Sequence, residues 1–185
     1  AGRTLGTDRW KKAVAERLEQ VLSWQTDEGW FWEYEGCDPG YLTLTISILA
    51  QLNQFRPSEN IQEALNRSVA FVSNFIHPDG TFGGEYGSRN TYNFFPHGFE
   101  LIGRSRPEAL AINDLFLTSL RNSRTPCYAD DHIIGHHTWN YLLAWRDFAP
   151  ERPAPYERHE GRSYFPIAQL LVERQGAITL FAALN

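Results

Sequence analysis

The chain has 185 residues, with 17 Lys and Arg against 22 Asp and Glu and a net charge of −5. It lacks the basic excess that binding a phosphate backbone requires, so no nucleic-acid partner is expected. Hydrophobic residues make up 42%, enough for a real core, and no uncharged apolar run reaches membrane-spanning length.

The N-terminus has no apolar stretch of the signal-peptide kind. Met is absent, while the aromatics are 6 Trp, 8 Tyr and 12 Phe. The first count predicts a chain excised from something longer. The second predicts packed helices and stacking surfaces for a ring-shaped ligand. Cys37 and Cys127 lie far apart without a CxxC or Cys/His spacing, so two free thiols are expected. The compartment stays open between cytosol and periplasm.

In chain order, a first helix is predicted over residues 8–25, capped by Asp8, with Trp10, Val14, Leu18, Val21 and Leu22 on one stripe. After the loop DEGWFWEYEGCDPG, Pro39 suits the first turn of a helix over 40–54. Thr and Ile in that stretch would also suit a strand, but its length favours a buried helix. Ser58 or Asn60 can cap a third helix ending near Phe75. The loop HPDGTFGGEYGSRN leads to a helix over 91–103, then others over 107–122 and 130–148.

Residues 151–163 are rich in Pro and charge and read as a linker. Residues 164–185 then form two β-like runs, YFPIAQLLVER and AITLFAALN, parted by a turn at Gln175-Gly176. An isolated hairpin is marginal in water, which predicts further strands beyond it. A weak internal repeat is also present. Asp27, Trp30, Glu33 and Tyr34 match Asp79, Phe82, Glu85 and Tyr86 at an offset of 52. Each unit would be a loop joined to a pair of antiparallel helices. The expected architecture is mainly α: a helical-hairpin segment over 1–150, the linker, and the beginning of a β domain over 164–185.

The motif DGTFGG at Asp79 to Gly84 resembles the loops of the (α/α) toroid families. WQTDEGW at Trp24 to Trp30 resembles the corresponding turn of the terpenoid cyclases. An incomplete helical toroid followed by strands is similar in outline to polysaccharide lyases of the heparinase II/III and alginate lyase type. That resemblance implies an incomplete toroid, a β-sandwich following it, a sugar cleft across the toroid, and the remainder of its own longer chain as a partner. It also implies β-elimination on an acidic oligo- or polysaccharide.

The densest polar stretch, EYGSRNTYNFFPHGFE, offers Glu85, Tyr86, Arg89, Asn90, Tyr92, His97 and Glu100 around one predicted helix start. Uronate lyase chemistry needs a base beside the carboxylate-bearing carbon and donors that stabilise the charge developing there. Tyr92 or His97 would be the base, and Arg89 and Asn90 the donors, with Tyr86 and Glu100 lining the cleft. Each also has a plain structural use: Arg89 pairing with Glu85, Asn90 capping a helix, His97 bonded in a core.

A second cluster comprises Asp130, Asp131, His132, His136 and His137. His132 and His136 share a helix face at a metal-compatible spacing. HxxxHH without an intervening Glu is not the zinc-protease motif, however, and no cofactor is expected. His136 or His137 would instead assist catalysis or bind substrate. Trp30, Trp32 and Tyr34, set among acidic residues, can form a platform under a sugar ring or simply cover the end of the helices. Two further functions stay open. An isoprenoid cyclase or prenyltransferase-like toroid would show an apolar aromatic cavity. A non-catalytic sugar-binding or assembly module would keep Trp30 and Trp32 exposed while His97 and Asn90 are buried.

Overall fold

The computed structural model describes residues 9–34, 36–84, 86–87, 92–124 and 131–184, the side chains of residues 9 and 131–133 excepted. Among these residues there are six α-helices followed by three strands. They are α1 (Arg9–Ser23), α2 (Pro39–Phe55), α3 (Glu59–Val72), α4 (His97–Ile102), α5 (Pro107–Arg121), α6 (Asp131–Arg146), β1 (Gly161–Phe165), β2 (Leu170–Gln175) and β3 (Ile178–Ala183). No helix is long and apolar enough to cross a membrane among the described residues.

The 40–54 stretch is a helix despite its β-branched content. Asp38 caps it, accepting from the amides of Gly40 and Tyr41 at 2.8 and 3.0 Å, and Pro39 supplies a pre-set first turn. Ser58 occupies the N-cap of α3, but its side chain makes no capping bond; Asp8 lies outside the described residues. The helix expected over 91–103 is cut to 97–102. Pro96 lies at its N-cap and disfavours helical geometry in Phe95 before it, so residues 92–95 run without helix.

α2, α4 and α6 contact one another in succession, and α3 and α5 lie against α2 and α4. Between α2 and α4 the approach is close. A Cβ on Gly98 would stand 2.6 Å from the Ser47 backbone, which no larger residue can satisfy without separating the helices. Ile46, Leu65, Phe75, Phe94, Phe99 and Phe116 are among the core residues buried between these elements.

Three strands, in the antiparallel order β1-β2-β3, replace the two runs read from sequence. Pro166 has no amide to give a ladder, and Gln169 takes φ +55°, so the first run breaks into β1, a turn and β2. Gly176, at φ +57°, begins the β2–β3 turn, beside the expected position. The sheet shares one core with the helices: Ala168, Leu170 and Val172 are part of it, and Phe165 and Phe181 pack against it. The stretch read as a linker is likewise tied down. Arg152 bridges Glu100 and Asp114, and the Tyr156 hydroxyl donates to the Ser73 carbonyl at 2.9 Å.

The loops after α1 and after α3 are built alike, but at an offset of 51 and not 52. Gln25 bridges Phe31 as Ile76 bridges Phe82. The amide of Thr26 bonds Trp30 O at 2.8 Å, as that of His77 bonds Thr81 O at 2.9 Å. Gly29 and Gly80 hold φ +99° and +83°. The residue-by-residue match of Asp27 with Asp79 and Trp30 with Phe82 is therefore corrected by one position. The turn is registered by the glycine that accepts positive φ, and similar neighbours one place along gave the other alignment.

Candidate functional site

The segment Tyr92–Pro96 and the start of α4 bring three helices to one point. The Phe95 amide donates to Thr43 Oγ1 on α2 at 3.0 Å, and the His97 amide donates to Asn140 Oδ1 on α6 at 2.9 Å. Asn140 Nδ2 in turn donates to Ser47 Oγ at 2.8 Å. His97 thus sits where α2, α4 and α6 meet, only 1% exposed. Its Nε2 lies 2.7 Å from Asp147 Oδ2.

Arg146 clamps the same carboxylate at 2.6 Å. That bond, with a further contribution from His97, holds the Asp147 carboxyl down to about 2 against the cost of desolvation. Asp147 is therefore ionised near neutrality and takes a proton-bearing Nε2 as its donor. The remaining ring nitrogen, Nδ1, is buried and has no hydrogen-bond partner among the described residues.

Glu100, one turn along α4, is treated differently. Its Oε1 accepts from Asn113 Nδ2 at 2.6 Å and Arg152 Nη2 at 3.2 Å. Its Oε2 accepts from the Ala149 amide at 3.0 Å and Arg152 Nη1 at 2.8 Å. Those bonds leave the carboxylate no free direction for a substrate, and they lock residues 149–152 onto the helices.

Other residues singled out from sequence are dispersed. His137 is buried on α6, its ring stacked on Phe95 at 4.2 Å and 18°, whereas its neighbour His136 is exposed. Tyr92 is exposed. Tyr86 is buried, with its hydroxyl accepting from Gly83 N at 2.9 Å and donating to the Phe75 carbonyl at 2.5 Å; burial pushes its phenol above the usual range. It therefore ties the loop to the end of α3. Arg89 and Asn90, like Glu85, Cys127 and Asp130, lie outside the described residues, as does the side chain of His132. Among the described residues no group of three or more His, Cys, Asp or Glu could hold a metal ion.

The aromatic trio separates too. Trp30 is 1% exposed, its Nε1 donating to Glu28 Oε2 at 2.8 Å. Trp32 and Tyr34 are 49% and 81% exposed. With Trp24 they border an open groove of about 850 Å³ between α1 and α2, floored by aliphatic residues such as Leu18, Val21 and Ile48. Glu33 on its wall has its carboxyl pushed up by burial and by the charge of Asp38.

Asp147, Asn140 and Arg152 are the participants that sequence reasoning missed. They stand far along the chain from His97 and Glu100, and no local motif marks them. Comparison with protein-family models, with curated proteins and with solved structures found no match.

Proposed function

We propose that the chain is the helical part of a carbohydrate-active toroid enzyme that performs a lyase-like β-elimination on an acidic polysaccharide, with His97 as the base. The observation that carries this reading is the His97–Asp147 pair. The Asp147 carboxylate holds Nε2, and Nδ1 has no partner among the described residues. A buried polar atom left bare is costly, and such atoms concentrate at functional sites. The succession of α2, α4 and α6, with α3 packed on α2 and α5 on α4, is an adjacency that a ring of helical hairpins would also have.

In the reaction, Nδ1 takes the proton from the carbon beside the uronate carboxylate. The carbon–carbon double bond forms as the bond to the glycosidic oxygen breaks. That oxygen collects a proton from the Tyr92 hydroxyl, and Arg89 and Asn90 are assigned the neutralisation of the substrate carboxylate. The mechanism requires the helix junction around His97 to open toward substrate, because His97 is 1% exposed.

Incubation with uronate-containing polysaccharides tests the proposal. The expected result is near-ultraviolet absorbance from the unsaturated product, reduced roughly 10²- to 10⁴-fold in His97→Gln. Asp147→Asn should also change the pH–rate profile by releasing the tautomer. Unsaturated product formed at an undiminished rate by a folded His97→Gln protein would overturn the assignment.

A second reading is favoured by the groove between α1 and α2. Its aliphatic floor and aromatic border suit an isoprenoid chain better than a sugar, which needs more polar partners. Arg17 on its lining could meet a diphosphate. Saturable binding of farnesyl diphosphate, lost in Trp32→Ala, would support it. The non-catalytic sugar-platform reading fits less well, because Trp30 is buried and unavailable for stacking.

A further inference from the structure

The inward positions of the central strand β2 are Leu170, Val172 and Arg174. The first two belong to the core; the third is a guanidinium only 6% exposed. Among the described residues its one hydrogen bond goes to the Asn74 carbonyl. Among the described residues its Nε has no partner, and no carboxylate forms an ion pair with it. A buried cation with no carboxylate bonded to it is expensive.

Arg174 opens on a small polar pocket of about 290 Å³, lined also by Tyr156, Glu157, Arg158, Glu160 and Thr179. Glu160 is turned to the β2–β3 turn, where it accepts from the Gly176 amide at 3.0 Å. Burial lowers the proton affinity of Arg174, and the nearby Arg158 lowers it further, while Tyr156 and Glu160 act the other way. Two guanidiniums therefore face one pocket.

We infer that this pocket between the 156–160 segment and β2 binds a small oxyanion, a carboxylate or phosphate held between Arg158 and Arg174. Planar guanidiniums suit such groups because their paired N–H donors match two oxygens at once. The pocket is at the small end of the usual ~300–1,000 Å³ range for ligand sites, which suits a monosaccharide acid or free phosphate and not a polymer segment. Glu157 on the rim disfavours larger polyanions. The site shares no residue with the His97 centre and does not depend on the lyase reading.

Calorimetric titration at fixed ionic strength tests it, with inorganic phosphate, galacturonate and neutral galactose as probes. Saturable binding of phosphate or galacturonate is expected, with galactose silent. Which anion binds more tightly identifies a free phosphoryl group or a sugar acid as the source. Arg158→Gln should weaken binding roughly tenfold or more, as expected for a lost charge-assisted bond, without altering circular dichroism. Arg174→Lys should weaken it further. Absence of saturable binding by either anion, or equal binding by a folded Arg158→Gln protein, would overturn the site.

Discussion

The loops after α1 and after α3 adopt one backbone turn and use it differently. In the first, Glu28 reaches out of the loop: it accepts from the amides of Ile167 and Ala168 at 2.8 and 3.0 Å, pinning the turn between β1 and β2. In the second, the corresponding Asp79 accepts from the Thr81 amide at 3.1 Å and its hydroxyl at 2.7 Å, and its other oxygen pairs with Arg124 beyond α5 at 3.8 Å and not with a sheet amide. The second loop meets the sheet through rings instead, with His77 and Tyr86 packed on Phe181 at 4.9 and 5.0 Å.

Helices α3 and α5 show the same divergence. Ser68 on α3 donates to the Gly29 carbonyl at 2.8 Å, whereas the hydroxyl of Ser119 on α5, beside Gly80, is buried without a partner. A shared turn thus leaves its side chains free to take one polar and one aromatic grip on the same sheet.

Substitution of the two glycines should produce the largest effects. A Cβ on Gly80 would stand 2.0 Å from the Leu115 carbonyl oxygen, and one on Gly29 2.5 Å from that of Arg67, both at positive φ. Gly80→Ala is expected to cost more than Gly29→Ala, with each exceeding the ~1–3 kcal/mol of backbone strain alone. Urea denaturation midpoints check the order, and equal midpoints would overturn it.

Glu28→Ala removes the acceptor for two turn amides and for Trp30 Nε1, which should cost about 2–3 kcal/mol. Amide exchange should accelerate at Ile167 and Ala168 but not in the second loop. Ser68→Ala should cost about 1 kcal/mol, while Ser119→Ala is neutral or stabilising, since it removes an unsatisfied buried hydroxyl. A thermal-melt comparison distinguishes them.

The smallest effects are pH-dependent. Burial lowers the His77 pKa from its ordinary 6.5, outweighing the nearby Asp79 charge. The unfolded chain then binds more protons as the pH falls, so stability present above about 6.5 declines on acidification. His77→Gln should flatten that window, whereas Thr26, at the equivalent place in the first loop, has no such response. Asp147 acts in a separate range. Its stabilisation is full above the ordinary 3.8 and is lost as pH falls toward about 2. Asp147→Asn should flatten the acid limb alone.

Much of the helical layout was legible locally. Pro39 after Asp38, Pro107 at the start of α5, and the stripe Ile61, Leu65, Val69, Val72 on α3 each report a periodicity or a cap that a short window contains. The helix expected over 91–103 is shortened at its start because Pro96 restricts Phe95. The sheet was underread because a strand break at Pro166 resembles a tolerated irregularity within one run. The site was less legible still. His97 could be noticed for its type, but Asp147 stands 50 positions away and carries no signature of its own.

By itself the sequence determined that most of the chain is helical and that two loops share a turn, because these depend on residues within one or two turns of each other. Tertiary structure decided which polar groups meet. It alone placed Glu100 under Arg152 and His97 against Asp147, and turned Arg174 inward behind Leu170 and Val172. Pairings of that kind depend on which elements pack together. A burial cost of several kcal/mol for an unpaired ion then makes the resulting partner, or the lack of one, the feature that separates a structural residue from a candidate site.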